Sequence, residues 1–214
     1  MTEHLNSTDT LSAGLRALPD KNGSFASTQA AWRFYKNDAI TLKKLHAPLL
    51  TAAHKSIDTH CVQYALCVHD WSRLNYRKHT SKQDKYQITH KTDVGYDLQS
   101  SLILSDQTGQ PLAPVAQRLV TADGSYATYQ DKELSERVEN HLDEVSYCMS
   151  QMEQEQFDKS IVHIIDREAD SVGHIRQWEA DGYLWLTRSR KTPYVEYQGK
   201  SIPCSQIAEA LEYN

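Results

Sequence analysis

The run Ser160-Ile-Val-His-Ile-Ile165 is short, apolar and rich in β-branched residues, and helical spacing stands on both sides of it. A segment of that kind predicts a buried strand, and a strand between two helices is stable only in a sheet on which those helices pack. This confines the chain to an α/β architecture. A second run, Cys61 to Val68, has the same character and stops at His69-Asp70, as the first stops at Asp166. Each run is expected to present an aspartate at the carboxyl end of its strand, the end at which open α/β sheets bind ligands.

The remaining elements follow from spacing and turn chemistry. Residues 1 to 24 are polar and aperiodic and predict a loose lead-in. From Ser27, Ala30, Ala31, Phe34 and Tyr35 recur at helical intervals, and Leu42, Leu45, Leu49 and Ala53 predict a second helix despite Pro48, so residues 25–58 read as a helical N-terminal section. Leu98 to Leu104 and Leu112 to Val120 flank Asp106-Gln-Thr-Gly109 as a hairpin. Leu134, Val138, Leu142, Val145, Met149 and Met152 predict a long amphipathic helix over 131–157, with its acids turned outward. A helix from about Ala169 to Ala180, a strand Tyr183–Thr187, a small hairpin over Tyr194–Ile202 and a helix Ser205–Tyr213 complete a domain spanning 59–214.

With 214 residues the chain can bury a real core, and no apolar run approaches the roughly 18 residues of a membrane span. The N-terminus carries no positive leader or apolar segment, which predicts a cytoplasmic protein. Cys61, Cys67, Cys148 and Cys204 form no CxxC pair and read as buried reduced thiols, and the histidines show no zinc-ligand spacing. The net charge of -5 hides two patches. Arg73, Arg77, Lys78, Lys82, Lys85 and Lys91 crowd one stretch, and acids dominate Asp131 to Asp158. Either run alone is most simply a solvated face.

Two strand-end carboxylates suit a hard divalent cation, because magnesium and manganese take oxygen ligands and complete their shells with water and phosphate. Asp166 is equally suited to capping the helix after it, and Asp70 to a turn. No Gly-rich phosphate loop, GxSxG elbow or HExxH motif is present.

Asp166-Arg-Glu-Ala-Asp170, followed by a helix and then Gly182-Tyr-Leu-Trp-Leu-Thr-Arg-Ser-Arg190-Lys191, resembles the second catalytic block of bacterial cut-and-paste DDE transposases of the insertion-sequence-four group. Gln29 to Asn37 is similar to that group's upstream helix, His69-Asp70-Trp-Ser-Arg-Leu-Asn-Tyr76 to its first-aspartate block, and Gly95 to Leu104 to its next strand. The resemblance covers roughly residues 25–200. It implies a ribonuclease-H-like mixed sheet with flanking helices, Mg2+ or Mn2+ held by Asp70 and Asp166 as catalytic acids, and double-stranded DNA at transposon ends as the partner of a full-length homodimer. It also implies phosphate contacts from Arg73, Arg77, Lys78, Lys82, Lys85, Lys91, Arg188, Arg190 and Lys191. The family's third acid, a glutamate in a Tyr-x2-Arg-x3-Glu-x6-Lys block, has no match, since Glu209 and Glu212 lack that context, and the end-binding segment is not seen before Ser24. The expectation is a transposase fragment with two of three acids, or an inactive DNA-binding or interfering fragment.

Overall fold

The computed structural model describes residues 24–131, 134–138, 140–188 and 193–210. Two helices, α1 (Ser24–Tyr35) and α2 (Leu42–His60), lead into a sheet. The Thr41 side chain accepts the Lys44 N–H at the start of α2, satisfying one of the donors that a helix N-terminus leaves unpaired. His46, Ala53 and Ile57 form the buried stripe of α2, and His46 Nε2 meets the Val115 carbonyl at 2.8 Å. The second predicted helix is therefore built into the main core.

The sheet contains β1 (Tyr64–Asn75), β2 (Tyr86–Gln87), β3 (Val94–Ser105), β4 (Pro111–Val120), β5 (Ser125–Ala127), β6 (Ser160–Ile165) and β7 (Leu184–Thr187). Its order is β5-β4-β3-β1-β6-β7, with β2 pairing β3. The strands from β5 to β1 are antiparallel neighbours, whereas β6 and β7 run parallel to β1. Helix α3 (His141–Gln154) precedes β6, and a 3-10 turn (Arg167–Ala169) and α4 (Val172–Ala180) connect it to β7. A separate hairpin, β8 (Tyr194–Tyr197) with β9 (Lys200–Pro203), and α5 (Cys204–Ala210) follow. Residues 1–23 and 211–214 lie outside the described residues, and with them the lead-in up to residue 23 and Glu212.

Period-two alternation divides the central strands into two faces. Ala65, Cys67, Ile103 and Ile161 are buried with Ala53 and Ile57 of α2 and Cys148 and Met152 of α3. Ile165 and Ala169 are buried with Leu142, Val145 and Met149 of α3 and Trp178 of α4. The opposite face from β3 to β7 carries two cross-strand rows, Leu104-Leu66-Val162-Leu184 and Leu102-Val68-Ile164-Leu186. These rows are only half-buried, and Leu184 and Leu186 are 46% and 58% exposed.

Several expected boundaries move. β1 does not stop at Asp70, because β3 keeps pairing with it as far as Asn75↔Gly95. Gly95 has no room for a Cβ against the Leu74 backbone, so this close approach needs glycine. The long helix over 131–157 shortens to His141–Gln154: Ser135 exchanges backbone hydrogen bonds with Ser125, both 2.9 Å, and Asn140 caps the helix. The helix expected from Ala169 divides into the 3-10 turn and α4, with Ser171 between them. The acids of α3 are not all outward, since Glu144 is 4% exposed.

Candidate functional site

The parallel pairing of β1 with β6 ends at His69↔Ile165, so Asp70 and Asp166 occupy the next position on adjacent strands. Both are exposed, and both line a cleft of about 450 Å3 with Val68, Ile164, Leu186, Thr187 and Arg188. Asp70 does this from within a strand, because β1 continues along β3 after β6 has ended. Asp166 does it from the point where its chain turns into the 3-10 helix. Its Oδ1 accepts the Glu168 N–H at 2.7 Å, which realises the capping role and leaves its other oxygen for a ligand. Thr187 Oγ1 donates to the Asp166 carbonyl at 3.1 Å and ties this turn to β7.

The two exposed carboxylates are acceptor-only oxygen donors side by side, and they fit a hard divalent cation. No glutamate lines this cleft among the described residues. Of the basic residues expected to meet phosphate, Arg188 alone lines it among the described residues. Arg73 lies beyond Asp70 on β1, 4.0 Å from Glu168, and borders a different cavity. Arg77, Lys78 and Lys91 are exposed. Lys82 sits 4.7 Å from the centre of the Tyr76 ring and 5.5 Å from that of Tyr96, while Lys85 donates to the Tyr76 and His79 carbonyls. These two lysines hold their own loop together. Arg190 and Lys191 lie outside the described residues.

A second, polar cavity of about 600 Å3 is lined by Trp71, Arg73, Asp97, Arg137, His141, Glu144 and Glu168. Glu144 accepts from Trp71 Nε1 at 3.3 Å and lies 4.0 Å from Arg118, itself buried. Burial raises the Glu144 carboxyl above its ordinary value, against the opposing pull of the Trp71 hydrogen bond and the Arg118 charge. Burial likewise raises Asp97, whose Oδ1 has no hydrogen-bond partner among the described residues. Trp71 packs inward against His141, their ring centres 4.9 Å apart. No motif or spacing marks this cluster, because Asp97 stands alone in a strand and Glu144 is one acid in an acidic run. Arg118, a cation set before Leu119-Val120 in a β-prone stretch, was the available signal, since burying it calls for an acid.

No protein-family model and no curated protein matches this chain. Among the described residues, no helix is long and apolar enough to cross a membrane.

Proposed function

We propose that this chain carries the two-aspartate part of a metal-dependent DNA-processing site of the cut-and-paste transposase kind, on a ribonuclease-H-like sheet. The observation that carries this reading is the register of β1 and β6, which sets Asp70 beside Asp166 in one open cleft. An antiparallel β4-β3-β1 meander extended by parallel β6 and β7, with helices between the parallel strands, supports the ribonuclease-H-like assignment. Asp70 and Asp166 would hold magnesium or manganese, and Arg188 at the rim would attract a phosphate of double-stranded DNA. The bound ion would supply charge neutralisation at the scissile phosphate and activation of the attacking oxygen.

A second reading, a fragment that binds DNA without cutting it, is favoured by the cleft's lining, in which no third carboxylate joins the pair among the described residues. The test is fusion to a segment bearing the family's Glu block, assayed on duplex transposon-end DNA with Mg2+. Cleavage restored by the fusion and abolished by Asp166→Ala supports the first reading. Cleavage that persists in Asp166→Ala rejects it, and salt-sensitive retention on DNA with no cleavage supports the second.

A further inference from the structure

One turn of the pleat behind the two aspartates, the covered face of the sheet holds three metal-ligating side chains that no sequence spacing brings together. Cys67 and His69 stand two residues apart on β1, so both point to the same face, and His163 is the cross-strand partner of Cys67 on β6. All three are fully or almost fully buried. Cys67 Sγ and one ring nitrogen from each histidine lie within 4.8 Å of one another. A tetrahedral zinc with bonds of about 2.0–2.3 Å sets its donors roughly 3.3–3.8 Å apart, so donors within 4.8 Å of one another need shifts of about 1 Å or less, the two nitrogens parting from 2.9 Å.

From this geometry we infer that Cys67, His69 and His163 form a structural site for a thiophilic d10 cation, zinc being the probe of choice. One thiolate and two imidazoles are the donor set such ions select over magnesium. The surroundings also match those of a ligated histidine. His69 Nδ1 lies 2.8 Å from Ser101 Oγ, which Gln99 Nε2 also contacts at 2.9 Å. In the tautomer that donates Nδ1–H to Ser101, the Nε2 lone pair faces His163, 2.9 Å away at Nδ1. His163 Nε2, on the far side of the ring, is buried without a hydrogen-bond partner among the described residues, whether or not Nδ1 holds a cation.

Both histidines sit in the buried layer, where a neutral imidazole offers a ring-nitrogen lone pair to a cation. Burial pushes the Cys67 thiol up, so it is protonated until a cation displaces the proton. Binding then forms one metal–sulfur and two metal–nitrogen bonds. The Cys67 proton leaves to solvent, and the His163 proton moves from Nδ1 to Nε2. Cys148, whose Sγ donates to Gln99 Oε1 at 3.2 Å, stays outside the three-ligand group. The site is enclosed, so it is loaded during folding.

The test is to refold the full chain with one equivalent of Zn2+ or Co2+, desalt it and measure bound metal and the visible spectrum. The expected result is one equivalent retained and a thiolate-to-cobalt charge-transfer band. Both should survive in Asp70→Asn/Asp166→Asn and in Cys61→Ser/Cys204→Ser, and affinity should drop at least tenfold in Cys67→Ser and His163→Asn. Folded wild-type protein that retains no metal overturns the inference. So does binding undiminished in Cys67→Ser, or binding lost in the double-aspartate variant. If the core variants fail to fold, the wild-type spectrum and the two double variants decide the matter.

Discussion

The two faces of the central sheet are made by the same strands and do opposite work. On β1, Ala65, Cys67 and His69 are buried beneath helices, while Leu66, Val68 and Asp70 look the other way. The covered face fills its space with apolar groups, and its few polar ones are mostly tied to one another. The other face runs from half-exposed leucine and valine rows to a last row of Asp70, Asp166 and Arg188. A strand thus assigns its residues to the covered layer or to the open cleft by parity alone, and the two sets can be changed separately.

The widest gap should appear on truncating each face in turn. Trp178→Ala should lower unfolding free energy by about 3–5 kcal/mol in urea titrations, as aromatic deletions from a packed core do. Leu186→Ala should shift it by no more than about 0.5 kcal/mol. A comparable loss at Leu186 would mean that the open face is covered in solution, and the contrast between faces would fail. Next comes acidity, tested on metal-free protein. His163 titrates at about 4 when folded and at about 6.5 when unfolded, so the unfolded state binds more protons between those values. Stability should be complete above pH 6.5 and fall by about 3 kcal/mol as pH drops toward 4. A flat profile over that interval would show that the histidine pair is not buried neutral.

Asp70→Asn should leave stability within about 0.5 kcal/mol, since it changes an exposed side chain. The same variant should weaken Mn2+ binding tenfold or more by paramagnetic resonance, and unchanged binding would remove Asp70 from the site. The smallest effect belongs to the rim. Asp106 accepts the N–H groups of Val62, Gln63 and Tyr64 at 2.8–3.0 Å, which holds its carboxyl below the usual carboxylate range. Its contribution is therefore present at neutral pH and lost as pH falls below that range. The difference in unfolding midpoint between wild type and Asp106→Ala should be small at pH 7 and vanish in acid.

The α/β architecture could be read from the apolar runs, because a strand flanked by helices has few other ways to bury its sides. The register could not. Nothing within Cys61 to Asp70 says that β3 will follow β1 five residues beyond Asp70, yet that extension is what makes Asp70 an interior strand residue. Likewise, Leu134 and Val138 keep helical spacing, but Ser135 pairs with Ser125 and Arg118 donates to the Glu136 carbonyl at 3.2 Å. These are tertiary contacts, and they override local periodicity. For the candidate site, the meeting of Asp70 and Asp166 was foreseeable if their strands paired. The cluster of Cys67, His69 and His163 was not, since a ligand 94 residues from His69 carries no spacing signal.

The parity of β1 also predicts how this gene tolerates length change. Loss of a single codon between Tyr64 and Asp70 would rotate every residue on the shortened side by one position relative to β3 and β6. Histidine and cysteine would then turn toward water and leucine and valine toward the helices, even though composition would hardly alter. Loss of two codons restores the parity and shortens the strand instead. Insertions and deletions in this segment should therefore be damaging when odd and milder when even, a pattern that a library of in-frame variants can resolve.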